Sequence, residues 1–196
     1  MKKIRRVLAF FFVCSLLSSF LGCGGDTNDP GTKDSYTGSY GSVFYGGQTY
    51  NTVVIGRQRW MAENLNYNAP GSKCYNNSES NCNTYGRLYN WETAKTVCPS
   101  GWHLPSREEW DVLGSDARKL KATSFGGTDE FGFSALPGSG LSVGSIGSIG
   151  DDGYWWSASE GNSYYAYYLY MYYDIEDALW YLNDKSSLLS VRCLQD

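Results

Sequence analysis

Gly101-Trp102-His103-Leu104-Pro105-Ser106-Arg107-Glu108-Glu109-Trp110 is the most legible helix start in the chain. Ser106 and Glu109 stand three apart, the spacing of a capping box. In that motif the serine hydroxyl accepts from the Glu109 amide while the Glu109 carboxylate reaches back to the serine amide. Pro105 precedes the cap, and two glutamates occupy the first turn, where the positive end of the helix dipole favours them. Trp110, Leu113, Ala117 and Leu120 then recur at spacings of three and four, which predicts one buried stripe along one helix, ended by Gly126-Gly127. The block also holds the only histidine and two of the seven tryptophans. His103 stands between Trp102 and Leu104 and reads as part of a packing motif.

Working outward, Asn90 is placed to cap another helix over residues 91–97, which Pro99 stops. Before it, Val43, Phe44 and Tyr45 begin a strand. Gly46-Gly47 supplies a two-residue turn, and residues 48–55 continue with Thr, Tyr, Val and Ile at strand positions. Gly56 breaks that run, and residues 57–61 make a further short strand. Residues 64–83 are rich in Asn and Ser around Cys74 and Cys82 and read as loop. Downstream, residues 131–136 read as a short strand or extended segment. Residues 137–153 are rich in Gly and Ser, with a Gly-Ser-Ile repeat at 144–149, no basic residue and no G-x-x-x-x-G-K-[ST]. They read as a long surface loop and not as a phosphate cradle. Four strands follow, at 154–159, 164–173, 178–183 and 188–194.

The chain opens with Lys2, Lys3, Arg5 and Arg6 ahead of a serine-interrupted apolar run at 7–21. That is the make-up of an export signal over residues 1–22, too short and too polar to be a membrane span. It closes on Phe20-Leu21-Gly22-Cys23, which resembles the lipobox of bacterial lipoproteins, where the cysteine becomes the acylated N-terminus. Cys23 is thus the expected lipidation site, carrying acyl chains such as palmitate, and membrane lipid is an expected partner. The implied location is the bacterial cell envelope, lipid-anchored, at the outer membrane or on the cell surface. Cleaving residues 1–22 removes four of sixteen basic residues and none of the twenty acidic ones, leaving a net charge of −8. That balance argues against nucleic acid as a partner, because phosphates need a basic surface. Residues 23–42 hold few apolar side chains and predict a flexible tether. The domain itself is expected over residues 43–196.

Losing Cys14 with the signal and Cys23 to lipid leaves Cys74, Cys82, Cys98 and Cys193, an even number in an exported protein, so disulfides are expected. Zinc is the rival, but there is no C-x-x-C pair and only one histidine. No metal and no cofactor is expected. Three pairings are open. The favoured one joins Cys74 to Cys82 in a local loop and Cys98 to Cys193, a loop of about 95 residues worth ~4–5 kcal/mol on the chain-entropy account.

From Tyr154 to Tyr181 there are twelve aromatics in 28 residues. The strand at 164–173 carries large side chains on both faces. One face can supply core, and the other is either covered or presents a tyrosine surface. Trp155, Trp156, Tyr165, Tyr167, Tyr170, Tyr172 and Trp180 are the candidate ligand-binding residues, because aromatics give stiff contact area with polar tips.

Six blocks occur in a set order. They are Trp60-Met61-Ala62-Glu63-Asn64-Leu65, Tyr85-Gly86-Arg87-Leu88-Tyr89-Asn90-Trp91, Cys98-Pro99-Ser100-Gly101-Trp102-His103-Leu104-Pro105-Ser106, Gly132-Phe133-Ser134-Ala135-Leu136-Pro137, Gly153-Tyr154-Trp155-Trp156-Ser157-Ala158 and Ser190-Val191-Arg192-Cys193. Together they resemble the Fibrobacter succinogenes major paralogous domain family over roughly residues 43–196. The resemblance implies an exported protein, often a lipoprotein, with no established activity. That family in turn looks like a divergent C-type lectin-like fold, related in pattern to the formylglycine-generating enzyme group through the L-P-[ST]-x-x-E-W start and the late W-S and V-R-C strands. The implied fold class is α+β, C-type lectin-like, with two helices packed on a small twisted antiparallel sheet, disulfide-stabilised. A helix-to-last-strand disulfide is common there, in keeping with Cys98–Cys193.

The oxidase-like members of the formylglycine group use cysteines near the end of the chain. The only late one here, Cys193, stands where a structural bridge is expected. Calcium-dependent lectins use W-N-D and E-P-N runs. Trp180-Tyr181-Leu182-Asn183-Asp184 departs by two inserted residues and E-P-N is missing, so Asp174, Glu176, Asp177 and Asp184 read as solvated turn residues. Glu108, Glu109 and Asp111 do not read as a glycosidase pair, since the two glutamates serve the helix start. No catalytic residue is assigned, and the protein is read as non-enzymatic. Two readings remain. One is a non-catalytic binding module for a glycan or surface protein, acting through the C-terminal aromatic face and the glycine-rich loop. The other is a structural or scaffolding interaction protein of the envelope with no small ligand.

Overall fold

The computed structural model describes residues 40–142 and 145–196; the expected signal, Cys23 and most of the tether lie outside the described residues. Strands β1 (Tyr40–Tyr45), β2 (Gln48–Ile55) and β3 (Gln58–Met61) form consecutive hairpins. β1 begins at Tyr40, so the last three residues assigned to the tether are strand. A 3₁₀ turn (Tyr75–Asn77) leads into α1 (Glu79–Tyr85), followed by α2 (Trp91–Ala94), β4 (Trp102–His103), α3 (Arg107–Asp111) and α4 (Ala117–Leu120). β5 (Leu141–Ser142) and β6 (Ser145–Ile146) pair as a small hairpin. β7 (Asp152–Glu160), β8 (Tyr165–Tyr172) and β9 (Leu179–Asp184) form an antiparallel three-stranded sheet, and β10 (Leu194–Gln195) follows. β10 inserts between β3 and β4, giving a five-stranded antiparallel sheet in the order β1-β2-β3-β10-β4. The architecture is α+β with two disulfides, Cys74–Cys82 and Cys98–Cys193, whose Cα atoms stand 5.0 and 5.8 Å apart.

The capping box forms as its spacing predicts. Glu109 N donates to Ser106 Oγ at 3.2 Å, and Ser106 N donates to Glu109 Oε2 at 2.7 Å. Asn90 Oδ1 likewise caps α2 through the Thr93 amide at 2.9 Å. The single long helix does not form. Gly114 turns to φ 80, and the backbone of residues 115–117 bonds instead to residues 176–178: Ala178 N donates to Ser115 O and Ala117 N to Glu176 O, both at 2.8 Å. The stripe survives the break, since Trp110, Leu113, Ala117 and Leu120 are all buried. The expected two helices are therefore four short ones among the described residues.

Three further expectations change. The loop at 64–83 contains α1, pinned by buried Cys82 in its disulfide and by the Arg87–Glu79 ion pair at 3.0 Å. Residues 131–136 are not a strand. Gly132 and Ser134 sit at φ 66 and 51, and only Ala135 makes a β-bridge, to Lys121. Residues 188–194 are not one continuous strand. This segment bonds both sheets instead: Trp156 N and Leu65 N donate to Ser190 O and Val191 O, and Met61 N to Cys193 O.

That terminal segment carries Arg192, which is fully buried. Its guanidinium donates to Asn64 Oδ1 at 2.9 Å, Met61 O at 3.1 Å, Ser134 O at 3.0 Å and the Phe133 carbonyl. Its charge also lies 4.4 Å from the Phe133 ring centroid. Burial pulls its pKa down to about 9, with Glu63 and Asp129 opposing the shift. Asn64 Oδ1 accepts a second bond from Trp155 Nε1 at 2.8 Å, while Asn64 Nδ2 donates to Tyr85 O at 2.9 Å. Trp156 Nε1 donates to Tyr89 O and Trp91 Nε1 to Ser157 O, each at 2.8 Å. Buried polar groups cost free energy unless paired, and five of the six sequence blocks supply one another's partners here. The sixth supplies the cysteine that locks Arg192's neighbour, Cys193. The blocks are thus the internal polar frame of the fold.

Candidate functional site

Side chains alternate along β8, so its aromatics divide between two faces. Toward α3, Leu169 and Met171 are buried with Trp155, while Tyr167 and Trp180 lie under the Arg107 guanidinium at 5.0 and 5.4 Å. Trp180 Nε1 donates to Asp111 Oδ1 at 2.9 Å. On the other face Tyr168, Tyr170 and Tyr172 follow one another; Tyr168 pairs with Trp156 and Tyr181, Tyr170 with Tyr154, and Tyr172 with Asp152. Ring centroids link them continuously: Tyr154–Tyr168 at 5.7 Å, Tyr154–Tyr170 at 5.2 Å, Tyr168–Tyr181 at 6.0 Å and Tyr170–Tyr172 at 6.4 Å. Trp156 backs this row from the core. The row itself is half-buried, with Tyr181 48% exposed.

The seven candidate residues do not converge. Trp155 and Trp156 have no exposed surface, because each indole N–H is committed to the internal frame. Both are corrected from ligand-binding to core. Tyr165, Tyr167 and Trp180 belong to the α3 side, and only Tyr170 and Tyr172 lie on the open tyrosine row. Tyr154, Tyr168 and Tyr181, which are not among the seven, complete that row. Period-two alternation taken from Tyr170 and Tyr172 reaches Tyr168, but the pairing with β7 and β9 is a tertiary fact.

The phenols of Tyr154 and Tyr170 are held protonated. Burial and the neighbouring Asp152 raise Tyr154 to about 12, and burial with the Asp152 hydrogen bond raises Tyr170 further. Tyr170 Oη donates to Asp152 Oδ1 at 2.9 Å. At neutral pH this surface therefore offers neutral hydroxyls on aromatic walls. Beside Tyr154 and Tyr168 lies a groove of about 240 Å³, walled on its far side by Gly140 and Gly147 and lined also by Asn183 and Leu189.

His103 is not in the core as its neighbours suggest; its side chain is 36% exposed. Both ring nitrogens are occupied, Nδ1 with Asp196 Oδ1 at 2.6 Å and Nε2 with Glu109 Oε1 at 3.0 Å. Burial works against the imidazolium, but the Asp196 and Glu109 carboxylates outweigh it and the pKa is raised. Glu109 is itself committed to the capping box, so this group ties β4 to α3. His103 lines none of the hollows beside Tyr168, Pro70, Trp180 or Ala62.

The acidic turn after β8 is organised by protein cations. Buried Lys121 Nζ donates to the carbonyls of Tyr172, Tyr173 and Ile175 at 2.9, 3.1 and 2.9 Å, which uses all three of its N–H groups. Arg118 bridges Glu176 at 3.1 Å. Asp184 accepts from the Ser186 amide and hydroxyl. Cys74 and Cys82 lie with Glu79 in a cluster of metal-ligand type, but their sulfurs are joined to each other and present no thiolate.

A sequence profile of the Fibrobacter succinogenes major domain matches residues 53–195. The chain belongs to that family. No curated protein and no solved structure matches it. In this member of the Fibrobacter succinogenes major domain family, most of the tyrosine row (Tyr168, Tyr170, Tyr172 and Tyr181) lies outside the six blocks, and only Tyr154 lies within one.

Proposed function

We propose that this protein is a non-catalytic binding module of the bacterial cell envelope, acylated at Cys23, which recognises a glycan or surface protein through the tyrosine row of β7, β8 and β9. The contiguous, half-exposed phenol row carries this reading, because large amphipathic rings held rigid by one another are a low-entropy contact surface. The doubly bonded His103 leaves no free ring nitrogen for proton transfer, which supports a non-catalytic role. A C-type lectin-like ancestry accords with the capped α3 and the Cys98–Cys193 bridge. Glycan-array binding and pull-down from solubilised envelope by the full chain test the reading. A glycan or a stoichiometric protein whose binding Tyr172→Ala weakens is expected; failure of both assays removes it. Metabolic labelling with palmitate tests the anchor, and label retained in Cys23→Ser would contradict it. The alternative, a scaffold without a small ligand, is favoured by the edge strand β1, which exposes Phe44 at 72%.

A further inference from the structure

We infer that the groove between Gly140, Gly147, Tyr154 and Tyr168 is a subsite for one uncharged sugar ring, with the tyrosine row as the platform along which a longer glycan continues. This rests on the binding-module reading above and names its ligand class.

Size is the first argument. About 240 Å³ falls below the range of pockets that enclose drug-sized ligands. It is room for one ring with its substituents, not for a folded peptide segment. Wall chemistry is the second. Tyr154 and Tyr168 stand 5.7 Å apart with their planes tilted by 45°, so two aromatic surfaces meet at an open angle. Such a corner takes the C–H face of a sugar, while phenol and amide groups at its margins meet ring hydroxyls.

The glycines are the third argument. Gly147 N donates to Gly140 O at 3.2 Å, which closes the base of the β5–β6 hairpin directly against Tyr154. A Cβ at Gly147 would stand 2.9 Å from the Tyr154 ring and 2.8 Å from Ser139 Oγ, and one at Gly140 would stand 2.7 Å from Leu189. Only bare backbone fits, so the far wall presents peptide groups. Ser139 is fully buried behind Gly147, and its hydroxyl has no partner among the described residues. An unpaired buried hydroxyl is costly, and this one stands behind the Gly147 backbone without lining the groove.

Charge is the fourth argument. No Lys or Arg lines the groove, and Asp152 stands beside the row on Tyr170. An acidic sugar would meet a carboxylate without a compensating cation, whereas an uncharged ring would not.

The test is an array of neutral and uronic-acid-containing glycans probed with the full chain, in wild-type form and as Tyr168→Ala, Gly147→Ala and Tyr172→Ala. Unfolding midpoints serve as the folding control. Neutral glycans should bind, Tyr168→Ala should weaken them by about tenfold or more, and Tyr172→Ala should weaken them less. If Gly147→Ala fails to fold, Tyr168→Ala alone decides. Preference for uronic acids, or binding that Tyr172→Ala abolishes and Tyr168→Ala leaves intact, overturns the subsite while the module reading stands. The same holds if no glycan binds but the row captures a protein that Tyr181→Ala releases. Absence of any ligand sensitive to the row overturns both.

Discussion

Alternate residues of β8 point to opposite faces of one sheet, and those faces differ in where their aromatic polar tips are bonded. Toward α3 the indole N–H groups are committed inward or to a neighbouring element, Trp155 to Asn64 and Trp180 to Asp111, and the Tyr167 ring lies beneath Arg107. On the other face the tyrosines pack chiefly on one another, backed by Trp156, and stay half-exposed. The same residue types therefore serve as core where neighbouring elements enclose them and as contact surface where they do not. Composition counts aromatics; partner geometry sorts them.

The contrast breaks most readily at Trp155. Trp155→Ala removes a fully buried ring and the bond to Asn64, and should cost ~3–5 kcal/mol in urea unfolding. Tyr172→Ala, on the open face, should cost under about 1 kcal/mol. Equal costs would mean that the two faces are not distinct.

Next in size is the bridge that fixes the terminal segment, buried with Trp156 and Ala166. Replacing Cys98 and Cys193 together by alanine should lower stability by ~2–5 kcal/mol. Loss of Cys74–Cys82, which closes a loop of only eight residues, should cost less. The reverse order would place the main constraint in the α1 region.

The smallest effect lies at His103, which supports α3 from the edge. Its pKa is raised, so its contribution is full below the unfolded value of 6.5 and fades as pH climbs through the folded one. Glu109 is lowered: burial opposes this, and bonds from Ser106 and His103 outweigh it. Its contribution is full above 4.5 and fades as pH falls through the folded value. Stability should therefore peak between those two pH values, and His103→Ala should flatten the alkaline side by less than about 1 kcal/mol, given its exposure. An unchanged profile in that variant would show that the pair of carboxylates does not act through the imidazole.

Much of this fold is legible in local chemistry. Ser106 and Glu109 form their box because the spacing alone brings amide and carboxylate together, and Gly46-Gly47 turns where the sequence says it turns. What is not legible is long-range. The helical stripe continues through residues 112–116, yet the backbone breaks there because residues 176–178 compete for its hydrogen bonds. Arg192 looks like a surface residue until Asn64, Met61, Phe133 and Ser134 are seen around it. His103 drew its partner Asp196 from ninety-three residues away. The candidate site divides likewise: Tyr170 and Tyr172 follow from alternation, whereas Trp155 and Trp156 are claimed by partners that no local pattern reveals.

The central claim is that the open face of the sheet, and not its α3 side, meets the ligand. Binding to a glycan array and to solubilised envelope protein tests it most directly, comparing the full chain with Tyr170→Ala/Tyr172→Ala/Tyr181→Ala and with Tyr165→Ala/Tyr167→Ala. The first set should lose at least about tenfold in affinity while still unfolding cooperatively, and the second should keep its ligand. Binding that survives the first set and disappears in the second would contradict the account.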